Sequence, residues 1–396
     1  MLIKSERIYF EDGQRNGYLQ IEDGKFLNFF EHINSDNYID YGKNRIIPGV
    51  FDTHNHGTCG YSLMGVEEKD KICNVKGFLK GCASQGVTSV FPTPGMDMVR
   101  TVAELAGSET DGAAIAGIHS EGPWLNRTGE KGIRTPWPEV SLKTAGRLVE
   151  DGMGKLKLVA LAPEIPGINE VIDYLLSEGI TVAFAHSDCG YEEAMAAFGR
   201  GLSVATHTGN VMTGLHHRDV GGLGAALLNN AVECEVICDG MHISLEMLQI
   251  YFKVKEAEHF MMVSDCTSFS GAPAGSYKAW GDVGGMQVTE DGFVLTDTGR
   301  LMGSSQPVLF GIKNLVENLN MPMETVLFMS SLNPCRKYGL DKQKGSIKFG
   351  KDADFVVISD DYLALETFVK GRKVYDRKLE GTIFNPLFMP ERNNSN

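Results

Sequence analysis

Two histidines one residue apart, His54 and His56, close the run Pro48-Gly49-Val50-Phe51-Asp52-Thr53-His54-Asn55-His56-Gly57. In an extended chain successive side chains alternate faces, so both imidazoles project to the same side. The glycine that follows lets the backbone turn away sharply. Two imidazoles on one face at a strand's end can grip one divalent metal ion. A His-x-His on a solvated strand has the same spelling, so the weight falls on what stands at comparable positions further along.

Four later apolar runs end in residues of the same chemistry: His119-Ser120-Glu121-Gly122-Pro123-Trp124, Ala185-His186-Ser187, Thr206-His207-Thr208 and Val263-Ser264-Asp265. A single strand-end histidine is more often a satisfied polar residue, and a single aspartate more often a helix cap. Five strands ending in His or a carboxylate are hard to obtain that way. Neutral imidazoles and carboxylates are ligands for zinc, and also for iron, cobalt or manganese.

The elements that must position these groups alternate along the chain. Strands are expected over Ile46–His54, Val87–Pro92, Ala113–Glu121, Leu156–Ala162, Thr181–His186, Leu202–His207, Glu233–Asp239 and Phe260–Asp265, with helix-like stretches such as Tyr191–Arg200 and Ser244–Glu258 between them. Eight strands, each followed by a crossover, predict an α/β fold, a closed (β/α)8 TIM-like barrel over residues 47–339. An open doubly wound sheet is the rival, but no Gly-x-Gly-x-x-Gly follows the first strand. Barrel chemistry sits where strands end and loops begin, which is where the unusual residues fall. Short strands punctuated by Asp-Gly at Asp12-Gly13 and Asp23-Gly24, and similar runs at the other end, predict a small β-sandwich domain built from residues 1–46 and 340–396.

Bulk properties narrow the partners. The chain has 396 residues and a net charge of −14 with no basic run, which argues against nucleic acid and against an anionic membrane surface. An anionic substrate would therefore need a locally basic pocket. The eight cysteines form no C-x-x-C pair, and the first residues show no signal-peptide hydrophobic region, so a reducing cytoplasm is the expected setting. Cys234, Cys238 and Cys266 sit in apolar strand contexts and read as buried thiols.

The opening Pro48-Gly49-x-x-Asp52-x-His54-x-His56-Gly57 and the closing Gly345-Ser346-Ile347-x-x-Gly350-Lys351-Asp352-Ala353-Asp354-Phe355-Val356 resemble the amidohydrolase superfamily. The inner motifs, His119 to Asn126, Leu161-Ala162-Pro163-Glu164, Ala185-His186-Ser187, Asp239-Gly240-Met241-His242 and Val263-Ser264-Asp265, resemble its N-acetylglucosamine-6-phosphate deacetylase family, nearly end to end. The resemblance implies that Glu121, His186 and His207 bind the principal divalent metal, zinc being the first expectation. His54 and His56 would hold a second ion with Glu121 bridging, so one or two ions per subunit are expected. It implies Asp265 as catalytic acid/base and a phosphorylated amino sugar as the small-molecule partner of a homodimer. Cyclic-amidase relatives bridge two metals with a modified lysine at the end of the fourth strand. Here that end reads Ala160-Leu161-Ala162-Pro163-Glu164, which disfavours their mechanism.

Further residues implied in substrate binding are Ile133, Arg134, Asn210, Val211, Arg218, His242, Leu301, Met302 and Gly303. Arg218, in His216-His217-Arg218, lies where the family binds phosphate and can reach the neighbouring subunit's site. The chain departs from the family twice. His207-Thr208-Gly209-Asn210-Val211-Met212 stands for His-Leu-(Phe/Tyr)-Asn-Ala-Met, so an aromatic becomes Gly209. Lys131-Gly132-Ile133-Arg134 stands for Lys-Gly-Ala-His, and arginine keeps donors while adding a permanent charge. These changes leave open a related substrate such as the N-acetylgalactosamine epimer, or a catalytically silent barrel that only binds amino-sugar phosphates.

Overall fold

The computed structural model describes residues 1–126, 138–278, 285–388 and 390. Among these residues the expected barrel forms. Val50–Asn55 (β1) pairs in parallel with Val87–Pro92 (β2). From Ile118–Glu121 (β3) a parallel run continues through Leu156–Leu161 (β4), Thr181–Phe184 (β5), Val204–Ala205 (β6), Glu233–Ile237 (β7) and Phe260–Val263 (β8). The ring closes where Asn55 bridges Cys266 in parallel and the Asp265 N–H donates to the His54 carbonyl at 2.9 Å. The intervening helices are Lys71–Ser84 (α1), Val99–Leu105 (α2), Leu142–Asp151 (α3), Ile168–Ser177 (α4), Tyr191–Arg200 (α5), Gly221–Leu228 (α6), Leu245–Val254 (α7) and Val308–Lys313 (α8).

The alternation of side chains sorts the strands into two apolar layers. Phe51, Phe91, Leu158, Ala160, Ala183, Val204 and Met261 fill the barrel. Their neighbours Val50, Val90, Val159 and Val182 face outwards into the layer shared with the helices. Tyr338 stacks edge-on against Phe91 at 4.6 Å between ring centroids and helps to plug the barrel interior. Above that plug the lining turns polar, and the chemistry begins there.

Several expected strands end short of their expected bounds, the run Leu202–His207 keeping only Val204–Ala205, and two of them divide. The run Ile46–His54 divides at Gly49: Arg45–Pro48 belongs to the small sheet and pairs antiparallel with Phe355–Ile358, while β1 starts at Val50. The third strand also divides, since Ala114–Ile115 pairs with β2 and only β3 pairs with β4. The helix expected over Ser244–Glu258 begins after the Ser244 cap and ends at Val254, where the Lys255 backbone turns extended (φ −129°, ψ 140°) and its ammonium bonds the Ala226 and Asn229 carbonyls at 3.1 and 2.7 Å.

Both chain ends enter one eight-stranded sheet among the described residues, in which Leu2–Phe10, Gly13–Glu22 and Lys25–Phe30 join Phe355–Ile358, Ala364–Val369 and Arg372–Asp376 through Arg45–Pro48. The small sandwich is thus one continuous sheet bent over its own apolar face, with Phe26 and Phe355 meeting at 6.1 Å inside the fold. No helix among the described residues is long and apolar enough to cross a membrane.

Gly49 is the hinge between sheet and barrel. Its N–H donates to the Asp354 carbonyl at 3.0 Å, and a Cβ there would meet the Thr88 Oγ1, Cγ2 and Cβ at 2.1, 2.3 and 2.7 Å. No rotation of Thr88 clears its own Cβ. Gly49→Ala is expected to lower the unfolding free energy by about 1–3 kcal/mol, the usual cost of an extra carbon in a packed core. Urea denaturation checks it, and an unchanged midpoint would contradict the tight crossing.

Candidate metal centre and active site

Each functional side chain stands at a strand end, and several stand there by a shared backbone device. His186, His207 and Asp265 have φ of 47°, 30° and 50°, in the left-handed region that non-glycine residues seldom adopt. Such a residue breaks the strand's alternation and swings its side chain over the barrel mouth. The strained conformation costs on the order of 1–3 kcal/mol and persists only where neighbours enforce it. For His186, Glu164 helps to enforce it. Its two oxygens accept from the Asp188 N–H at 2.6 Å and from the Asn126 amide and Ser187 hydroxyl at 2.8 Å each. For His54 and His56 the device is an irregular pairing of β1 with β2 between Asp52 and Asn55. Buried Asp52 fastens this bend across the barrel seam, accepting from the Ser264 hydroxyl at 2.6 Å and the Ser264 N–H at 3.1 Å.

Glu121 lies at the centre. Its Oε1 is 2.9 Å from Nε2 of His186 and 2.9 Å from Nε2 of His207. Its Oε2 is 3.1 Å from Nε2 of His56, whose ring is in turn 3.0 Å, Nε2 to Nε2, from His54. Two trios of ligand atoms therefore share one carboxylate: His54, His56 and Glu121, and Glu121, His186 and His207. Asp265 borders the first trio, with Oδ1 at 3.4 and 3.5 Å from Nε2 of His54 and His56. All six side chains thus lie together at one mouth of the barrel.

The donor set fits a divalent cation. His56 Nδ1 lies 2.9 Å from the Thr93 carbonyl, so that nitrogen carries the proton and Nε2 is left with a lone pair. That lone pair faces another imidazole nitrogen and a carboxylate, and His186 and His207 likewise meet Nε2 to Nε2 at 3.0 Å. Nitrogens and carboxylates pointed at common centres with the far ring nitrogen held by a carbonyl are the arrangement of a metal-binding histidine. Burial disfavours charge on His54, but Asp265 and Glu121 outweigh it and hold that ring's pKa well above the ordinary value. Burial also opposes the Glu121 carboxylate, yet His186 and His54 hold its pKa well below the usual range.

The other sequence-derived residues surround this cluster unevenly. His242 donates from Nδ1 to Asp239 Oδ2 at 2.7 Å, and Asp239 Oδ1 accepts the Met241 and His242 N–H groups at 2.9 Å each. Burial opposes charge on His242, but the Asp239 bond prevails and raises its pKa. Asn210 folds back on the His207 carbonyl at 3.2 Å, and the Val211 carbonyl accepts the Ser187 N–H at 3.1 Å, tying the two histidine loops together. Gly303, between Met302 and Ser304, sits over the turn at Asp265: a Cβ would meet Thr267 Cγ2 at 2.5 Å, and the next N–H donates to the Asp265 carbonyl at 2.8 Å. Leu301 bridges Leu295 at the edge of this loop. Arg218 stands on an exposed hairpin and makes no ion pair among the described residues. Lys131, Ile133 and Arg134 lie outside the described residues.

Gly209, where the family carries an aromatic, has φ of 97° and no room for a side chain, since a Cβ would stand 2.1 Å from the Tyr251 hydroxyl. Tyr251, from α7, fills the space that the departure opens. Two further residues escaped the reading of the sequence. His119 is buried with its ring 4.5 Å from that of His54, edge to face. Burial, reinforced by His54, keeps its pKa well below the ordinary imidazole value. Glu235, a fully buried acid in β7, lies 3.6 Å from His54. The acid alternating with apolar residues in Glu233-Cys234-Glu235-Val236-Ile237 is the signal that could have found it.

Comparison with known proteins agrees with this geometry. The profile of the amidohydrolase family matches residues 45–376. An N-acetylglucosamine-6-phosphate deacetylase of Vibrio furnissii is 31% identical over 375 residues, 92% of each chain. An N-acetylgalactosamine-6-phosphate deacetylase of Escherichia coli O157:H7 is 29% identical over 83% of this chain and 87% of its own. The crystal structure of N-acetylglucosamine-6-phosphate deacetylase from Thermotoga maritima superposes with a TM-score of 0.78 at 28% identity, covering 95% of this chain and 100% of that one.

The Asp239–His242 pair gives a pH test. The raised pKa of His242 means that its contribution is complete below the unfolded value of about 6.5 and is lost as pH rises through the folded one. Asp239, whose burial is outweighed by His242, has a lowered pKa, so its share is present above about 3.9 and is lost only as pH falls through the folded value. Asp239→Asn is expected to destabilise by about 1.5–3 kcal/mol at pH 6 and by less at pH 9. Equal losses by urea denaturation at both pH values would show that the ring carries no charge.

Proposed function

The chain belongs to the amidohydrolase family, and from that premise we propose that it hydrolyses the N-acetyl group of N-acetylglucosamine-6-phosphate, releasing acetate and glucosamine-6-phosphate. The observation that carries the reading is the sharing of Glu121 between His186 and His207 on one side and His54 and His56 on the other. These are the residues that would hold divalent metal, zinc first, with iron, cobalt or manganese as the alternatives. When bound, such an ion lowers the pKa of water towards neutrality and polarises a carbonyl.

The chain's own groups do the rest. Asp265 takes the proton from the attacking water and delivers it to the departing amine nitrogen, and its position beside the histidine pair suits both transfers. His242, its ring oriented by the Nδ1 bond to Asp239, presents its outer nitrogen to the acetyl carbonyl or to the substrate's phosphate. Asn210, Val211 and the loop from Leu301 to Gly303 border the sugar; Ile133 and Arg134, outside the described residues, enter this reading on the sequence resemblance alone. Arg218 offers the phosphate a fixed cation in an acidic protein. Its place on an exposed hairpin suits service to the neighbouring subunit of a homodimer working in the cytoplasm.

A second reading is the galactosamine epimer. It is favoured by Gly209 and Tyr251, which replace an aromatic of the family beside Asn210. A barrel that binds without catalysis is disfavoured, because such a chain would be free to lose the ligand set and Asp265, and this one retains all of them.

Acetate release across N-acetylglucosamine-6-phosphate, its galactosamine epimer and the unphosphorylated sugars separates these readings. N-acetylglucosamine-6-phosphate is expected to be turned over best, and loss of the phosphate to cost far more than tenfold in kcat/KM. Equal activity on free N-acetylglucosamine would remove the phosphate from recognition. Asp265→Asn is expected to lower kcat by at least 100-fold, at the low end of general acid–base contributions, with metal content unchanged. Wild-type turnover in that variant would remove Asp265 from the mechanism.

A further inference from the structure

Glu235 is a fully buried carboxylate in the middle of β7, flanked in sequence by Cys234 and Val236. A charge at such a depth is costly unless it is paired or bonded. No lysine or arginine makes an ion pair with it among the described residues. Its Oε1 accepts from the Thr53 hydroxyl at 2.7 Å. Among the described residues its Oε2 has no hydrogen-bond partner, and neither does the buried Nδ1 of His54, 3.6 Å away. Tyr338 also faces it: its buried hydroxyl has no hydrogen-bond partner among the described residues, and its pKa is raised by burial first and by Glu235 second.

We propose that Glu235 is a positioning residue that holds His54 as a ligand of a second divalent ion. The inference rests on the metal-dependent reading above and extends it to the number of ions. An Nδ1–H drawn towards Glu235 leaves the lone pair on Nε2, the nitrogen that faces His56 Nε2 at 3.0 Å, Asp265 Oδ1 at 3.4 Å and Glu121 Oε1 at 3.7 Å. His56 is fixed in the same sense by the Thr93 carbonyl. Both histidines of the pair thus present Nε2 to one point, and each is backed by an acceptor suited to that task. The gap at Nδ1 exceeds an ordinary N–H···O distance of about 2.9 Å by an amount that a small ring rotation closes.

Glu121, Asp265 and Glu235 all lie within 3.7 Å of the His54 ring nitrogens, so three carboxyl groups converge on this one imidazole, two of them on its Nε2 side and Glu235 behind Nδ1. Glu235 is then the structural reason that the histidine pair is a binding site in this chain rather than two polar side chains.

The test uses the metal-free protein titrated with Zn²⁺, with bound zinc counted by elemental analysis. The wild type is expected to take up two ions per protomer. Glu235→Leu is expected to weaken the second ion 10- to 100-fold, the usual effect of losing a histidine's backing group, and to leave the first unchanged. Glu235→Gln, which keeps the volume and an acceptor oxygen, should lose less, and it decides the matter if the leucine variant does not fold by circular dichroism. Because Glu235 acts through His54, the Glu235→Leu/His54→Asn double variant should bind zinc no worse than His54→Asn alone. The proposal is overturned if the wild type binds a single ion, if the Glu235 variants keep wild-type affinity at both, or if the double variant loses a further tenfold. Acetate release by the wild type is measured beside it: its absence would sink the deacetylase reading, while the ion count still decides the role of Glu235.

Discussion

One carboxylate meets imidazoles arriving from three directions, and the barrel is organised around making that meeting possible. Glu121 ends β3, His186 and His207 follow β5 and β6, and the His54–His56 pair ends β1. None of these strands could bring the groups together alone, because each contributes a single turn of chain at the rim. Closure of the sheet supplies the convergence, and the residues in left-handed conformation at His186, His207 and Asp265 convert strand direction into side-chain direction. Strain of that kind is tolerable only on a rigid frame, and the dry aromatic plug of Phe51, Phe91 and Tyr338 provides one.

The seam between β8 and β1 carries two duties. It closes the barrel, and it joins Asp265 to the histidine pair, since the Asp265 N–H bonds the His54 carbonyl and the His56 N–H bonds the Cys266 carbonyl. Asp52 locks both strands through Ser264 and Asn55 from inside the seam. The small sheet reaches the same place from behind: Arg45–Pro48 runs directly into β1 at Gly49, whose carbonyl accepts the Ser331 hydroxyl at 2.6 Å. The two chain ends meet in that sheet, so it braces the strand that carries the histidine pair.

Much of this was legible in the sequence because strand-end ligands are a positional signal. The spacing of His54 and His56, the acid after Ser120, and Asp265 after an apolar run all declared themselves, and the barrel followed from the alternation that separates them. What was not legible depended on partners distant in sequence. Glu235 reads as one acid among others in a strand until Thr53 and His54 are seen facing it. His119 reads as part of a motif until its ring lies against His54. The division at Gly49 was hidden because Ile46 to His54 is one uninterrupted extended run, and only pairing with Phe355–Ile358 tells its first half from its second. Gly209 read as a lost wall, whereas the Tyr251 hydroxyl from α7 stands where its side chain would be.

The central claim is physical: the nitrogen and oxygen atoms around Glu121 are aimed at a cation. Anomalous diffraction at the zinc edge, from crystals of the zinc-loaded protein, measures this directly. The account predicts a peak at about 2.0–2.2 Å from a Glu121 oxygen and from Nε2 of both His186 and His207. A zinc-loaded crystal with its anomalous density elsewhere, and these three side chains turned away from one another, would contradict it.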